Sequence, residues 1–485
     1  MIKKDAIVTK ILTLIQTGIL APGDKLPSLR QVAADNHVSL YTAIGAYEEL
    51  VAMGVIENLP KVGSFVLDCG SRVEQLLRMR NSALPDRQAL DAPEAVRFYE
   101  RYAENLQISQ KTESTQLSRE CIGESFYGDT AYNTLREVVR KVPLNRKWQY
   151  FQEERNRLLS SIAQLMLPQK CFFLRENTQL FNNPMEALLL SIVVCSANAR
   201  ERGMVLGIES PGSRLFRICA QILNVDYVEI PSDCETGLAV DAFEEELRAG
   251  RRFMGLLCQS FHADPTGASM PMEEKERLVA LCEKNDVPII EYVPLGTLHV
   301  ADDLPPPIKS INHESVIFIS DLGCVLGSDL PLTYAESGKF ARRIESMQTF
   351  CGAFSAANEN IAVAAGLVGK EMFGPVKSLF SGIRSSTELF LRTFERAAPE
   401  GLRICGGSTG PYLWIELPEG VETKEFSRFA SQNHVYVAPG PMFSQLEEAK
   451  RCFRVNCCAH RTAKNVAADA EALAKVLTLH LKKLG

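Results

Sequence analysis

The sequence predicts an α/β protein: a small N-terminal domain of three helices and a hairpin, followed by a large body built on a parallel sheet. Three observations predict it. The first seventy residues carry helical apolar spacing broken by Pro/Gly turns and closed by a short strand pair. From about residue 204, apolar runs of strand length alternate with helical stretches, as in a parallel sheet wrapped by helices. A final block, from about 376 to 485, carries an antiparallel set of strands flanked by helices.

At 485 residues the chain is long enough for two or three domains and a large core. A 46% hydrophobic and 23% charged composition is ordinary for a globular protein. No run of eighteen uncharged apolar residues occurs, so no membrane span is expected. Met1-Ile-Lys-Lys-Asp-Ala enters a helical pattern with no secretion signal. Fourteen scattered cysteines make no C-x-x-C pair, so reduced thiols and a cytoplasmic location are expected. Cys457, Cys458 and His460 form the tightest thiol–imidazole cluster, but their spacing fits no common zinc pattern, and no metal is expected. A net charge of −6 argues against a broad nucleic-acid-coating surface and leaves a local one open.

Ile7, Ile11, Leu12 and Ile15 put an apolar stripe on a first helix ending near Gly18. Ala21-Pro-Gly-Asp24 is a turn. Ser28-Leu-Arg-Gln31 reads as a capping box opening a second helix, in which the Ser28 hydroxyl and the Gln31 amide satisfy free N–H groups. Asn36-His37 breaks it. Ser39 caps a third helix, with Ala43, Tyr47, Leu50 and Val51 inward, and Met53-Gly54 ends it. Val55-Ile56 and Ser64–Leu67 then pair around Pro60-Lys-Val-Gly63.

The string Gly18-Ile-Leu-Ala-Pro-Gly-Asp-Lys-Leu-Pro-Ser-Leu-Arg30, with Val38-Ser39, Thr42, Ala46-Tyr47, Leu50, Gly54 and Gly63, resembles the GntR family of bacterial transcription regulators. The resemblance implies a winged helix-turn-helix in which Arg30, Ser39, Tyr41, Thr42 and a wing around Lys61 and Gly63 meet double-stranded DNA. A recognition helix presents its N-terminal residues to base edges, and its dipole favours nearby phosphates. The charge departs from that pattern. Residues 1–70 hold six Lys/Arg against seven Asp/Glu, a net −1, and no basic residue falls between Ser39 and Ala52. Leu40, Ile44 and Leu59 stand where relatives often carry arginine. Counterion release scales with the phosphates neutralised, so apolar contacts or DNA shape would carry more of the specificity. A winged helix turned toward protein contact is the alternative reading.

In the body, strands are expected at Met204–Ile208, Val225–Ile230, Phe253–Leu257, Val287–Ile290 and Val316–Ile319. The antiparallel set is Leu413–Leu417, Val435–Ala438 and Cys452–Asn456. The markers Tyr127-Gly-Asp129, Met185–Leu188, Glu209-Ser-Pro211, Asp264-Pro-Thr-Gly267, Ile289–Glu291, Pro418–Gly420, Pro439–Ser444 and Phe453–Asn456 occur in order. Together with the N-terminal string they resemble the MocR subgroup, which fuses a winged helix to a fold-type I aminotransferase body. The resemblance implies a winged helix over 1–68, a linker over 69–115, a large domain over 116–375 and a small domain over 376–485.

Aligned with that family, the cofactor pocket is altered position by position. Cys324 falls where the lysine forms a Schiff base with pyridoxal phosphate, and a thiol cannot form an imine. No lysine lies between Lys309 and Lys339. Asp264 replaces the asparagine at the phenolic oxygen, Tyr292 the aspartate at the pyridine nitrogen, and Leu295 the tyrosine three residues on. The phosphate turn reads Phe181-Asn-Asn183-Pro184, in which Pro184 lacks an N–H. Pro331 replaces the phosphate arginine beside the acidic Asp321, and Ser213 replaces the stacking aromatic. No cofactor is therefore expected. Arg454 stands where relatives clamp a substrate carboxylate; a buried ion pair with a neighbouring acid is the other reading. Cys324 is either a small core residue or a reactive thiol, with Asp321 and Asp329 beside it.

These readings converge on a DNA-binding regulator with a degenerate aminotransferase body that serves dimerisation; a purely structural body and one that senses a small carboxylate through Arg454 both stay open. A protein-interaction regulator is the alternative, and an active aminotransferase the third reading.

Overall fold

The computed structural model describes residues 3–16, 19–59, 62–69, 73, 115–118, 140, 147–196, 203–296, 305–326, 331–351, 357–368, 373–407, 410–459 and 465–484. The chain divides into two compact units, Met1–Ala92 and Pro93–Gly485.

In the first unit, α3 (Leu40–Ala52) packs against α1 (Lys3–Gln16) and α2 (Leu29–Asp35). An antiparallel hairpin follows, β1 (Ile56–Leu59) and β2 (Gly63–Val66), with Ile56 opposite Val66. α1 buries Ile7, Val8, Ile11 and Leu12 at three- and four-residue spacing. They meet Val32, Ala43, Ala46, Tyr47 and Leu50 in one core. The Tyr47 hydroxyl donates to the Pro27 carbonyl at 2.8 Å, and burial pushes the phenol up to about 12. Two details depart from expectation. Val51 is 38% exposed, because Ala46, Tyr47 and Leu50 already fill the inward face. Ser28 accepts from the Gln31 N–H at 3.3 Å, but the Gln31 amide turns forward to Asp35 at 2.9 Å, so only half the capping box forms.

The second unit contains β3 (Thr115–Gln116), α4 (Lys147–Met166), β4 (Thr178–Phe181), α5 (Pro184–Cys195), β5 (Val205–Ser210), α6 (Arg214–Ile222), β6 (Tyr227–Asp233) and β7 (Gly237–Leu238). Then come α7 (Val240–Arg248), β8 (Phe253–Cys258), α8 (Met272–Lys284), β9 (Ile289–Tyr292), β10 (Val316–Asp321), α9 (Leu322–Leu326) and β11 (Thr333–Glu336). The sheet order is β4-β11-β10-β9-β8-β5-β6-β7. The run from β10 to β6 is parallel, but β11 pairs antiparallel with both β10 and β4, and β7 antiparallel with β6. The sheet is thus mixed, where the sequence predicted a parallel one.

Alternation along each strand sorts side chains to two faces. Ile290, Tyr292, Ile317 and Ile319 pack with Leu188, Ile192 and Phe216 of α5 and α6. Ile289 and Val316 pack on the opposite face with Phe243, Leu278 and Val279 of α7 and α8. Each such buried side chain contributes roughly 1.5–3 kcal/mol of transfer free energy.

Helices α10 (Ala341–Cys351), α11 (Asn358–Leu367) and α12 (Phe373–Ala397) lead to a four-stranded antiparallel sheet of order β12-β13-β16-β15. Its strands are β12 (Arg403–Gly406), β13 (Tyr412–Glu416), β15 (Ala438–Pro439) and β16 (Cys452–Asn456). Helix α13 (Thr423–Gln432) and β14 (Val435–Tyr436) fall between β13 and β15, and α14 (Val466–Leu484) closes the chain. β14 pairs with β3, so the stretch expected as one strand over Val435–Ala438 divides between two sheets. Leu413, Ile415, Phe453 and Val455 pack with Phe390, Phe394, Leu473 and Leu477 of α12 and α14. Trp414 and Arg454, paired across β13 and β16, point the other way.

The expectation of uniformly reduced thiols is corrected here. Cys234, in the β6–β7 turn, is disulfide-bonded to Cys405 of β12, with Cα atoms 5.8 Å apart. The two elements are far apart in sequence and adjacent only in the fold.

Candidate functional site

Two places hold the residues singled out by sequence. The first is the N-terminal end of α3. Ser39 is its N-cap: the Ser39 hydroxyl accepts from the Thr42 N–H at 3.1 Å and lies 2.8 Å from the Thr42 hydroxyl. That capped turn leaves Tyr41 85% exposed and Leu40 44% exposed. Arg30 is exposed on α2. Gly63 opens β2 at φ +133, and a Cβ there would come within 2.8 Å of Lys25 Cε, so the lysine stem lies under the wing only because that residue is glycine. Lys61 lies outside the described residues. Lys4 reaches Glu49 of α3 at 2.8 Å, which neutralises one of the few positive charges. Leu40 and Lys25 were not chosen from sequence as contact residues. Leu40 stands where relatives often carry arginine and Lys25 lies within the Gly18–Arg30 string; the capped helix and the wing show their exposed positions.

The second place is at the carboxyl ends of the parallel strands, where open α/β sheets gather their sites. β5 leads to Ser213, β8 to Asp264, β9 to Tyr292 and β10 to Asp321 and Cys324. Across from them, β16 supplies Arg454. The Arg454 Nε lies 3.0 Å from Asp264 Oδ1, with both side chains almost wholly buried. Arg454 Nη1 also donates to the Ser118 carbonyl at 3.1 Å, and its guanidinium lies 5.2 Å from the Tyr412 ring and 5.5 Å from Phe443. The ion-pair reading of Arg454 is therefore the one its geometry realises, and the clamp's charge is already spoken for by Asp264.

Around the expected lysine position, Asp321 organises the backbone. It accepts from the Gly323 N–H at 2.9 Å and the Thr333 hydroxyl at 3.2 Å, and the Cys324 thiol donates to it at 3.2 Å. Cys324 and Leu295 share one buried apolar cluster with Ile383 and Phe390. Tyr292 is buried edge-on to Phe216, with ring centroids 6.2 Å apart. Ser213 caps α6 by accepting from the Leu215 N–H at 3.4 Å. Pro331 is exposed, and its carbonyl accepts from Asn360.

The sequence led to the expectation of a phosphate turn at the α5 N-terminus. Here the chain caps it itself. Asn183 Oδ1 accepts from the Glu186 N–H at 3.1 Å, and the Glu186 carboxylate returns to accept from the Asn182 N–H at 3.1 Å and Asn183 Nδ2 at 3.1 Å. A carboxylate over a helix N-terminus satisfies the dipole that an anion would otherwise complement. Glu186 was not singled out from sequence, because it fell inside the Met185–Leu188 marker beside the expected phosphate turn.

Behind this edge lie buried acids. Glu209 accepts from the Gln259 N–H at 2.6 Å and the Ser232 hydroxyl at 2.8 Å, and burial pushes its carboxyl up to about 7. Glu229 meets Ser444 at 3.2 Å, the Gln445 N–H at 3.0 Å and Arg217 at 3.7 Å, stitching β6 to the segment after β15. Cys457 and Cys458 are fully buried, with thiols pushed up by desolvation, and His460 lies outside the described residues. Tyr127-Gly-Asp129 and Asp329 also lie outside them. Among the described residues no group of three metal-ligating side chains converges, and no helix is long and apolar enough to cross a membrane.

Fold and site together define a class: a GntR-type winged helix joined to a fold-type I aminotransferase-like body. Residues 3–66 match the family described as bacterial regulatory proteins, gntR family. The chain is similar to the HTH-type transcriptional regulator YdcR of Escherichia coli, at 24% identity over 91% of this chain and 92% of that one. It is also similar to the HTH-type pyridoxine biosynthesis transcriptional regulator PdxR of Corynebacterium glutamicum, at 24% identity over 67% of this chain and 64% of that one. Among solved structures it is similar to LysN, the α-aminoadipate aminotransferase of Thermus thermophilus, complexed with N-(5'-phosphopyridoxyl)-L-leucine. That likeness has a TM-score of 0.66 and 16% identity, covering 83% of this chain and 99% of that chain.

This last comparison corrects the expectation that the chain carries no cofactor. A chain of the same fold is solved with a phosphopyridoxyl group, so the loss expected from Asn183, Ser213, Asp264, Tyr292, Leu295, Cys324 and Pro331 is not supported. They do bear on how the group could be held. Cys324 offers no amine, Asp264 is paired with Arg454, and the α5 terminus is capped by Asn183 and Glu186. The residues present do not fit covalent attachment at position 324, where a thiol cannot form an imine.

Proposed function

We propose that the chain is a DNA-binding transcription regulator whose aminotransferase-like body does not transaminate. The observation that carries this reading is the pairing of a gntR-type N-terminal unit with a body that has a buried thiol at Cys324. The regulator YdcR, whose similarity covers 91% of the chain and so runs through both parts, supports it, as does the partial similarity to PdxR. In this reading 1–68 reads DNA, 69–115 links, and 116–375 and 376–485 form a large and a small domain.

Arg30, Ser39, Tyr41, Thr42, Lys61 and Gly63 are assigned to DNA. Tyr41 and Leu40 offer apolar surface to base edges, Arg30 offers a charged fork, and the Ser39 cap fixes the helix end that faces the groove. The body serves dimerisation. Phe172 (63% exposed), Leu174 (49%) and Phe350 (94%) are large apolar side chains that a monomer would leave in water. It also serves as a sensor: a carboxylate that competes with Asp264 for Arg454 would open the Asp264–Arg454 pair and so shift the body between two states.

A mobility-shift assay with the DNA upstream of the chain's own coding region, at stated salt, tests the reading. Retardation that weakens by about 1–3 kcal/mol in Arg30→Ala and in Thr42→Ala supports it. Absence of retardation would favour the protein-contact reading, for which the exposed Leu40 and Tyr41 and the lack of any basic residue on α3 are the specific observations.

A further inference from the structure

We propose that Cys234 and Cys405 form a reversible thiol–disulfide clasp, closed by small-molecule disulfides, that fixes the four-stranded sheet against the eight-stranded one. The inference does not depend on the DNA-binding reading.

The placement is specific. Cys234 lies in the turn between β6 and β7 at one edge of the large sheet, and Cys405 lies on β12, the edge strand of the small sheet. Both are half-buried, so a small reagent reaches them. Arg403 presents Nη2 to the Cys234 sulfur at 4.0 Å, while sharing its charge with Asp233, whose carboxyl is held low chiefly by the Glu235 N–H. A guanidinium beside a thiol favours the thiolate.

The other described thiols are poor competitors, Cys324 among them because it is buried and donates to Asp321. Desolvation pushes Cys195, Cys219, Cys452 and Cys458 up to about 12, and it raises Cys171, Cys258, Cys282 and Cys457 as well. Cys69 donates to the Leu67 carbonyl at 3.0 Å.

What the clasp holds follows from two glycines. A Cβ on Gly406, the residue after Cys405, would lie 2.7 Å from the Thr266 carbonyl. A Cβ on Gly267 would lie 3.0 Å from the Gly406 Cα. β12 therefore runs backbone against backbone along the loop that carries Asp264 to Arg454. Closing the disulfide ties that contact covalently; opening it leaves non-covalent contacts, among them the Asp264–Arg454 pair, the Glu229 contacts and the Arg217 bonds to the Pro441 and Met442 carbonyls, to hold the two sheets together.

The exchange balances with one small disulfide, RSSR. The Cys234 thiolate attacks one sulfur of RSSR, forming a mixed disulfide and expelling one thiolate, which takes the proton Cys234 released. Cys405 then loses its proton and attacks the Cys234 sulfur, expelling the second thiolate, which takes that proton. Two protein thiols are oxidised to one disulfide, and RSSR is reduced to two RSH.

The test uses the full chain, reduced with dithiothreitol, desalted, treated with oxidised glutathione, blocked with N-ethylmaleimide and mapped by mass spectrometry. The expected result is a linked Cys234–Cys405 peptide in most molecules, reversed by dithiothreitol, with Arg403→Ala closing several-fold more slowly. Both cysteines recovered as blocked thiols, or linked to other partners, would overturn the clasp. Hydrogen exchange of residues 264–267 and 403–406 tests its consequence. We expect about tenfold slower exchange in the oxidised wild type, and no response to glutathione in Cys234→Ser or in Cys405→Ser. Equal exchange in oxidised and reduced wild type would overturn the proposed coupling even if the bond forms.

Discussion

Arg454 and Asp264 form a buried ion pair whose members lie far apart in the sequence. A buried guanidinium facing an aspartate is already neutralised. Removing either member leaves a buried charge uncompensated, so Arg454→Ala and Asp264→Ala are each expected to cost about 3–5 kcal/mol in denaturant unfolding, and the double variant clearly less than their sum. Additive losses would mean that the two side chains do not act as a pair. Glu209 carries a pH signature. Its folded value, about 7, lies above the usual carboxylate range, so between about pH 4.5 and 7 the folded state holds a proton that the unfolded state has lost. Its contribution is therefore fully present at low pH and is lost as pH rises through 7, by about 3 kcal/mol at most. Glu209→Gln should flatten the fall in melting temperature between pH 5 and 8; an unchanged slope would assign that fall to other groups. At position 324, Cys324→Lys alone is expected to leave transaminase turnover at background with added pyridoxal phosphate, because Asp264, Tyr292 and the Glu186-capped helix remain. Measurable turnover would show that the amine was the one missing part.

At the scale of elements, apolar runs made β8, β10 and β16 legible in the sequence. β4, β11 and β12 were not. Thr178, Gln179, Thr333 and Glu336 are polar letters that would ordinarily mark a surface loop, yet all are buried. Their polarity is satisfied inside: Gln179 accepts from Ser337 at 2.8 Å, Thr333 donates to Asp321, and Glu336 pairs with the fully buried Lys309. A periodicity argument cannot see a partner supplied from elsewhere in the chain. The same limit hid the candidate site's pairings: Asp264 and Arg454 were each picked out by sequence, and their contact was left as one alternative. The α3 terminus was legible because its chemistry is local, with Ser39 capping Thr42 three residues on. Its consequence is testable at this scale. With Lys4 tied to Glu49 and no basic residue on α3, the salt dependence of DNA binding is expected to be shallow, corresponding to few neutralised phosphates. A steep slope, unaffected by Arg30→Ala, would place the interface on another surface.

For the whole molecule, exposed Phe350 is the most economical probe of self-association. Phe350→Asp is expected to shift the sedimenting species from dimer toward monomer while leaving the circular dichroism spectrum unchanged. A monomeric wild type would refute the dimer outright. The Cys234–Cys405 bond has one more consequence, which concerns connectivity rather than motion. When it is closed, the chain from 234 to 405 is a covalent ring with two tails. A protease that cuts once anywhere inside that ring produces two fragments that stay one molecule, running as an intact chain until a reductant separates them. A single cut in either tail releases its piece at once. Paired gels with and without reductant would therefore read the topology of the chain directly from the sizes of its fragments.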